Sequence, residues 1–173
     1  MIDIEIKNLD RIIDQVKMYA IDVKQKEQRV LDRLKSFGVT NVEVRYSAAI
    51  NFDNDSTVTV SGKITDNTLI ISAKGEQICF LEFGAGVYYN GTDSYPLPLP
   101  NGVVGIGQYG KGFGKRRTWG YYKSGDKNQL VLTHGTQASK AMYNTLCDIC
   151  ETSLDVIREV FSQWLIIVTK YLI

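Results

Sequence analysis

Histidine, cysteine and proline are all scarce in this sequence. The 173 residues include one histidine, three cysteines and three prolines. An odd number of cysteines, in a chain whose Met-Ile-Asp-Ile-Glu start has no signal-peptide pattern, argues against a disulfide framework. We therefore expect synthesis in a reducing cytosol. A zinc site is not expected either, because the single histidine leaves too few ligands near any cysteine pair.

The sequence also has almost no net charge and no long apolar run. Lys and Arg total 20 against 19 for Asp and Glu, so no overall field draws the chain to nucleic acid or to an anionic membrane. No apolar run approaches the roughly 20 residues that a spanning helix needs. A chain of this length can bury roughly two thirds of its unfolded surface. We expect a single domain over residues 1–173 and no membrane partner.

Apolar periodicity predicts two long helices with strands between them. Spacings of three, four and seven predict a first helix from Leu9 to Phe37, ended by Gly38. A second helical stripe starts near Ser139, a candidate N-cap, and continues towards the C-terminus. Alternation between them predicts strands at about 42–50, 58–64 and 69–73. The segment 77–83, in which residues 78–83 are apolar apart from Glu82, predicts a fourth strand that is covered on both faces. The short connections between these strands predict an antiparallel meander. The predicted class is α+β, with the C-terminal helix packed on the sheet.

A glycine- and proline-rich segment interrupts this pattern. All three prolines and most of the glycines lie between Gly84 and Asn128. A stretch of that length is too long for an idle connection, so we expect a protruding loop at about 84–118 that is functional or ordered by a partner. Residues 119–122 and 129–132 are predicted to follow it as a pair of strands.

The glycine loop contains a sequence that matches the dinucleotide-binding fingerprint by letter. Gly105, Gly107 and Gly110 have the G-x-G-x-x-G spacing. The mechanism also requires a buried strand before the first glycine and a helix after the last, and neither pattern is present. We therefore predict no nucleotide cofactor.

Cysteine and histidine offer two further candidates for chemistry. Cys147 and Cys150 form a C-x-x-C, but both fall inside the predicted helical stripe, and Cys150 is interpreted as a small core residue. His134 could act as a general base, yet no nucleophile or orienting acid accompanies it in a recognisable pattern. We predict no catalytic, cofactor-binding or metal-binding residues, with a His134-dependent enzyme kept as an alternative.

Basic and aromatic residues cluster at the end of the loop. This mixture is typical of a surface for single-stranded nucleic acid, and equally of an arm in a protein interface. The balanced charge favours the interface, with a small nucleic-acid-binding module as the alternative. The apolar C-terminus needs a covering surface too. The predicted intersubunit or partner contacts are Tyr109, Lys111, Phe113, Lys115, Arg116, Arg117, Trp119, Phe161, Trp164 and Leu165.

Two short signatures, in a fixed order between the predicted helices, resemble a known family. They are Glu82-Phe83-Gly84-x-Gly86 and Thr133-His134-Gly135-x-x-Ala138, separated by the glycine loop and Trp119-Gly-Tyr121. The chain resembles the neck or tail-completion (head-tail joining) proteins of long-tailed bacteriophages and related prophage elements. One departure is Gln137, where the family often has proline.

The resemblance implies an α+β structural subunit that forms a ring, commonly sixfold, at the neck or the tail end. The implied partners are copies of the chain itself and the adjacent tail-tube, tail-terminator or connector proteins, around a lumen that DNA would cross transiently. The implied place is a virion or a phage-tail-like particle, assembled in the cytoplasm of a bacterial host. No enzymatic activity, metal or cofactor is implied.

Overall fold

The structure is a computed structural model that describes residues 8–49, 57–75, 78–84, 95–97, 117–122 and 127–171. For Trp119, Tyr121 and residues 163–171 only the backbone is described. The elements, in chain order, are α1 (Leu9–Ala49), β1 (Thr59–Thr65), β2 (Thr68–Lys74), α2 (Ile78–Phe83), β3 (Trp119–Tyr122), β4 (Leu130–Thr133) and α3 (Ala141–Tyr171). The predicted α+β class is confirmed: a long N-terminal helix, antiparallel strands, and a C-terminal helix packed on them.

The strands form two antiparallel hairpins. β1 pairs with β2 from Thr59↔Lys74 to Thr65↔Thr68, and β3 pairs with β4 from Trp119↔Thr133 to Tyr122↔Leu130. Asp66 and Asn67 turn the first hairpin with φ values of 47° and 59°. Positive φ at both central residues is the type I′ turn, whose twist matches that of paired strands. The strands predicted at 58–64, 69–73, 119–122 and 129–132 are therefore confirmed, with ends that differ by one residue at most of the boundaries.

α1 is longer than the sequence pattern predicts. Gly38 does not end it, and the segment predicted as a strand at 42–50 continues the helix to Ala49. Val42 and Tyr46 fit both the two-residue period of a strand and the four-residue spacing of a helix. Both are buried, whereas Val44 between them is 61% exposed. Helical period therefore explains the burial, and the strand prediction was wrong.

Gly38 has a packing role inside α1. A Cβ at this position would collide with Cδ1 of Ile71 on β2 and would lie 2.8 Å from Cδ1 of Ile149 on α3. A glycine in a helix interior costs roughly 0.5 to 1 kcal/mol relative to alanine. Here it lets a strand and a helix approach α1 closely at one point.

α3 runs antiparallel to α1. Arg45 Nη1 lies 2.7 Å from Asp148 Oδ2, and Arg33 Nη2 lies 2.6 Å from Glu159 Oε2. Two small cores lie along the helix pair. One contains Val30, Leu34 and Val156, with Leu69 of β2 and Ile149 of α3 packed against it. The other contains Val42, Tyr46, Leu81 and Ala141.

α2 replaces a predicted strand. The segment 77–83, in which residues 78–83 are apolar except for Glu82, predicted a strand covered on both faces, but residues 78–83 form a short helix. Leu81, Glu82 and Phe83 are all buried. Leu81 joins the cluster formed by α1 and the start of α3, so the covering surfaces are helices rather than sheet neighbours.

Candidate functional site and assembly surfaces

A buried carboxylate connects α1, α2 and α3. Glu82, at the end of α2, is 4% exposed. Its Oε2 accepts a hydrogen bond from the Tyr46 hydroxyl at 2.8 Å, and its Oε1 accepts one from the Tyr95 hydroxyl at 2.7 Å. A buried charge requires such partners, because an unpaired one would shed its charge or destabilise the fold. Glu82 is the polar exception in the apolar run 78–83, and no local sequence pattern predicted this role.

Glu82 also caps α3. Oε2 accepts from the backbone N–H of Met142 at 3.1 Å, and Oε1 accepts from that of Tyr143 at 3.3 Å. The first N–H groups of a helix have no partner within the helix. The helix dipole also places a partial positive charge at this end, which favours an anion. The cap therefore comes from a residue about sixty positions earlier. The predicted N-cap Ser139 does not supply it, and its buried Oγ has no hydrogen-bond partner among the described residues.

The two signature segments meet in this region. Ser139 N–H donates to the Leu81 carbonyl at 2.8 Å, and Lys140 N–H donates to the Glu82 carbonyl at 3.3 Å. Gly84 has a φ of +78°, and a Cβ there would lie 3.0 Å from both Thr136 O and Ala138 N. We call this contact, formed by residues 81–84 and 136–143 with Tyr46 and Tyr95, the signature joint. It explains why glycine follows Glu82 and Phe83.

Tyr95 brings part of the predicted loop to the signature joint. Its ring lies edge-on to Phe83 at a centroid distance of 4.8 Å and to Tyr143 at 6.0 Å. Burial, followed by the hydrogen bond to Glu82 and its negative charge, raises the pKa of Tyr95. Burial and the same carboxylate raise the pKa of Tyr46. Both hydroxyls therefore stay protonated and continue to donate to Glu82 at neutral pH.

The predicted contact residues are only partly described. Phe161 is half-buried and packs against the cluster of Val30, Leu34 and Val156, with Lys26 Nζ 6.0 Å from its ring centroid. Arg117 is exposed just before β3, and Trp119 begins that strand. Trp164 and Leu165 lie within α3. Five predicted contacts lie outside the described residues: Tyr109, Lys111, Phe113, Lys115 and Arg116.

The hairpin β3–β4 has an exposed apolar face that sequence analysis did not predict. Tyr122, Leu130 and Leu132 are 52%, 58% and 71% exposed, and the strand register places them on one face with Gly120. A Cβ at Gly120 would lie 2.8 Å from Leu130 Cδ1, so the glycine makes room for the leucines. Contiguous exposed apolar side chains often mark an interaction surface.

The residues considered for catalysis or metal binding show structural contacts. His134 is exposed, and its Nδ1 lies 3.0 Å from Thr118 Oγ1, which connects the ends of the hairpin. Cys150 is exposed, so its prediction as a core residue was wrong. A hydrogen bond with Cys147 raises the pKa of Tyr143. In the part of the chain that the structure describes, no three His, Cys, Asp or Glu side chains form a metal-binding group.

The comparisons with known proteins add no relative. Neither protein-family models, nor curated proteins, nor solved structures match the chain. Within the described ranges, no helix has the length and apolarity needed to cross a membrane. The resemblance to phage neck proteins therefore depends on the signature residues themselves.

Proposed function

We propose that this chain is a non-enzymatic structural subunit that forms a ring with its own copies at the neck or tail end of a phage or phage-tail-like particle. The observation that carries the proposal is the signature joint. The residues that resemble the neck family, although about fifty positions apart along the chain, are used together to fix α3 on α2. A signature used in this way defines a subunit fold rather than a reaction.

The hydrogen bonding of Glu82 supports a structural role. Each carboxylate oxygen accepts one tyrosine hydroxyl and one backbone N–H. An ionised carboxylate offers about four lone-pair sites. Four donors fill that capacity, so this group is committed to holding the fold and is poorly placed to accept a proton from a substrate.

The exposed apolar surfaces support assembly. The face of Tyr122, Leu130 and Leu132 belongs to a two-stranded hairpin, and such a hairpin is marginally stable alone in water. Contact with a neighbouring subunit or tail protein would remove this surface from water. Each fully buried apolar side chain of this size contributes roughly 1.5 to 3 kcal/mol, enough for a few of them to offset part of the entropy lost on association.

Electron microscopy of the purified, nuclease-treated chain tests this proposal. We expect closed rings with a central opening, formed either by the chain alone or on addition of phage tail-tube or connector proteins. The alternative of a nucleic-acid-binding module makes a different prediction. A monomer whose affinity for DNA falls steeply with salt would reject the ring subunit and favour the module.

A further inference from the structure

Two thiols lie one turn apart on α3. Cys147 is half-buried and Cys150 is exposed, and residues three apart on a helix are neighbours on its surface. The rise and radius of a helix place the two Cα atoms about 5 Å apart, within the roughly 4.4 to 6.8 Å found in disulfides. The Cβ atoms of such neighbours are about 5 to 6 Å apart, against roughly 3.5 to 4.5 Å in a disulfide. Closing a bond therefore requires a local change in residues 147–150, which we call the dithiol turn.

The hydrogen bonds that follow the dithiol turn make such a change easier. Ser153 Oγ donates to the Cys150 carbonyl at 2.9 Å, and Thr152 Oγ1 donates to the Asp148 carbonyl. Hydroxyls that bond back to helix carbonyls compete with the backbone N–H groups, and they slightly destabilise and often bend a helix. Both acceptors belong to the dithiol turn. The turn should therefore tighten at a lower cost than a turn with backbone hydrogen bonds alone.

The contacts that hold α3 on the fold lie on the other side of the helix. Ile149 and Val156 belong to the packing between α1 and α3. Leu146 and Leu154, on the same side as Cys150, are 49% and 61% exposed. Bending at the dithiol turn would therefore leave the packing of the two helices largely in place.

We propose that Cys147 and Cys150 form a redox-active dithiol, which closes to a reversible disulfide by exchange with a small-molecule disulfide such as oxidised glutathione. The thiolate of Cys150, the exposed residue, attacks one glutathione sulfur, forms a mixed disulfide and releases one glutathione thiolate. The Cys147 thiolate then attacks the Cys150 sulfur and displaces the second glutathione thiolate. Each displaced thiolate takes up a proton, so two protein thiols are oxidised while one disulfide is reduced to two thiols. A disulfide that strains its helix is labile and easily reduced.

Closure would also reach the signature joint. Cys147 is hydrogen-bonded with Tyr143, whose ring packs edge-on against Tyr95 and whose backbone N–H donates to Glu82. A sulfur in a disulfide has no S–H to donate, and this one moves towards Cys150. The disulfide needs one chain only, so it goes beyond the proposed ring and does not depend on it.

Thiol mapping of the full chain tests the proposal. The reduced protein is incubated with oxidised glutathione at about pH 8, where free thiols are partly ionised, and is then quenched with acid and alkylated. Mass spectrometry of the peptides reports the state of each cysteine. We expect the peptide that contains Cys147 and Cys150 to lose two hydrogens and to carry no glutathione. Cys79→Ser, a change on α2, should leave this result unaltered.

Cys147→Ser is the matched variant. It keeps the exposed Cys150 but removes the second thiol, so the glutathione adduct at Cys150 should persist about tenfold longer than in the parent. Circular dichroism of each variant checks that the helices are folded. A persistent adduct on the parent, a disulfide to Cys79 or between two chains, or two thiols that stay unmodified would each overturn the dithiol.

Discussion

Glu82 connects three helices through one side chain. Its carboxylate accepts hydrogen bonds from tyrosines on two separate segments and from the first turn of α3. Each hydrogen bond to a charged group contributes roughly 1.5 to 3 kcal/mol, and a buried donor left unpaired costs a similar amount. The stability of the signature joint should therefore depend strongly on this one charge.

Replacing Glu82 by glutamine tests that dependence. Glu82→Gln keeps the size of the side chain but removes its charge and turns one acceptor into a donor that faces other donors. We expect the free energy of unfolding to fall by about 2 to 4 kcal/mol, measured by urea denaturation. Glu43→Gln is the control, because Glu43 is exposed on α1 and should change stability by less than about 0.5 kcal/mol. Equal effects of the two substitutions would contradict the proposed role of Glu82.

Alkaline pH should weaken the same joint. Burial and the nearby Glu82 raise the pKa of Tyr46 above its ordinary value of 10.0. A raised pKa in the folded state means that the protonated tyrosine stabilises the fold fully below about pH 10 and progressively less as the pH rises above it. Tyr46→Phe should lower stability by about 1 kcal/mol at neutral pH and should flatten the decline between about pH 10 and about pH 12. If stability declined as steeply in the variant as in the parent, titration of other groups would be the cause, and the role of Tyr46 would be contradicted.

At the scale of elements, α1 shows that a two-residue apolar period alone does not identify a strand. Residues 42–50 alternate apolar and polar types, and the same residues place Val42 and Tyr46 four apart on a helix. Burial of those two and exposure of Val44 follow the helical period. Gly38 predicted a helix end before this segment. Its role in the structure, which is to leave room for close neighbours, cannot be read from the local sequence. The contact with Ile71 and Ile149 depends on residues far along the chain.

Gly38→Ala tests the packing at this crossing. Alanine would favour the helix by roughly 0.5 to 1 kcal/mol, but its Cβ would push against Ile71 and Ile149, and overpacking typically costs 1 to 3 kcal/mol. We expect a net loss of about 1 kcal/mol in the free energy of unfolding. Ser36→Ala, an exposed change in the same helical turn, should not reduce stability by more than about 0.5 kcal/mol.

A second substitution separates overpacking from other causes. Ile71→Val removes the Cδ1 methyl that the new Cβ would meet. If overpacking is the cause, Gly38→Ala should cost less in the Ile71→Val background than in the parent, which a double-mutant cycle measures. Strictly additive effects, or a Gly38→Ala variant more stable than the parent, would contradict the close approach.

The β1–β2 hairpin and α2 show which elements a local sequence pattern can predict and which it cannot. The β1–β2 hairpin was predicted correctly because its alternation and its Asp66-Asn67 turn are both local signals. The run 77–83 was assigned wrongly because an apolar segment of that length fits a buried strand or a short helix equally well. The role of Glu82 depends on Tyr46, Tyr95 and the start of α3, and long-range contacts of this kind carry no local pattern.

At the scale of the whole molecule, the described part of the chain buries little and exposes much apolar surface. Its two cores are small, whereas residues 9–21 of α1 and the face of β3–β4 leave large apolar side chains exposed. Exposed apolar patches of this kind are typical of interaction sites. The fold is therefore consistent with a subunit completed by neighbours, which is the central element of the proposed function.

The most direct test of that claim is the mass of the nuclease-treated chain in solution. Light scattering coupled to size exclusion, repeated over a range of concentrations and with the neighbouring tail proteins added, separates a ring from a free subunit. The account predicts a discrete assembly at a whole multiple of the 19.5-kDa subunit, or roughly 117 kDa for a sixfold ring. A species of 19.5 kDa at every concentration, with or without the tail proteins, would contradict it.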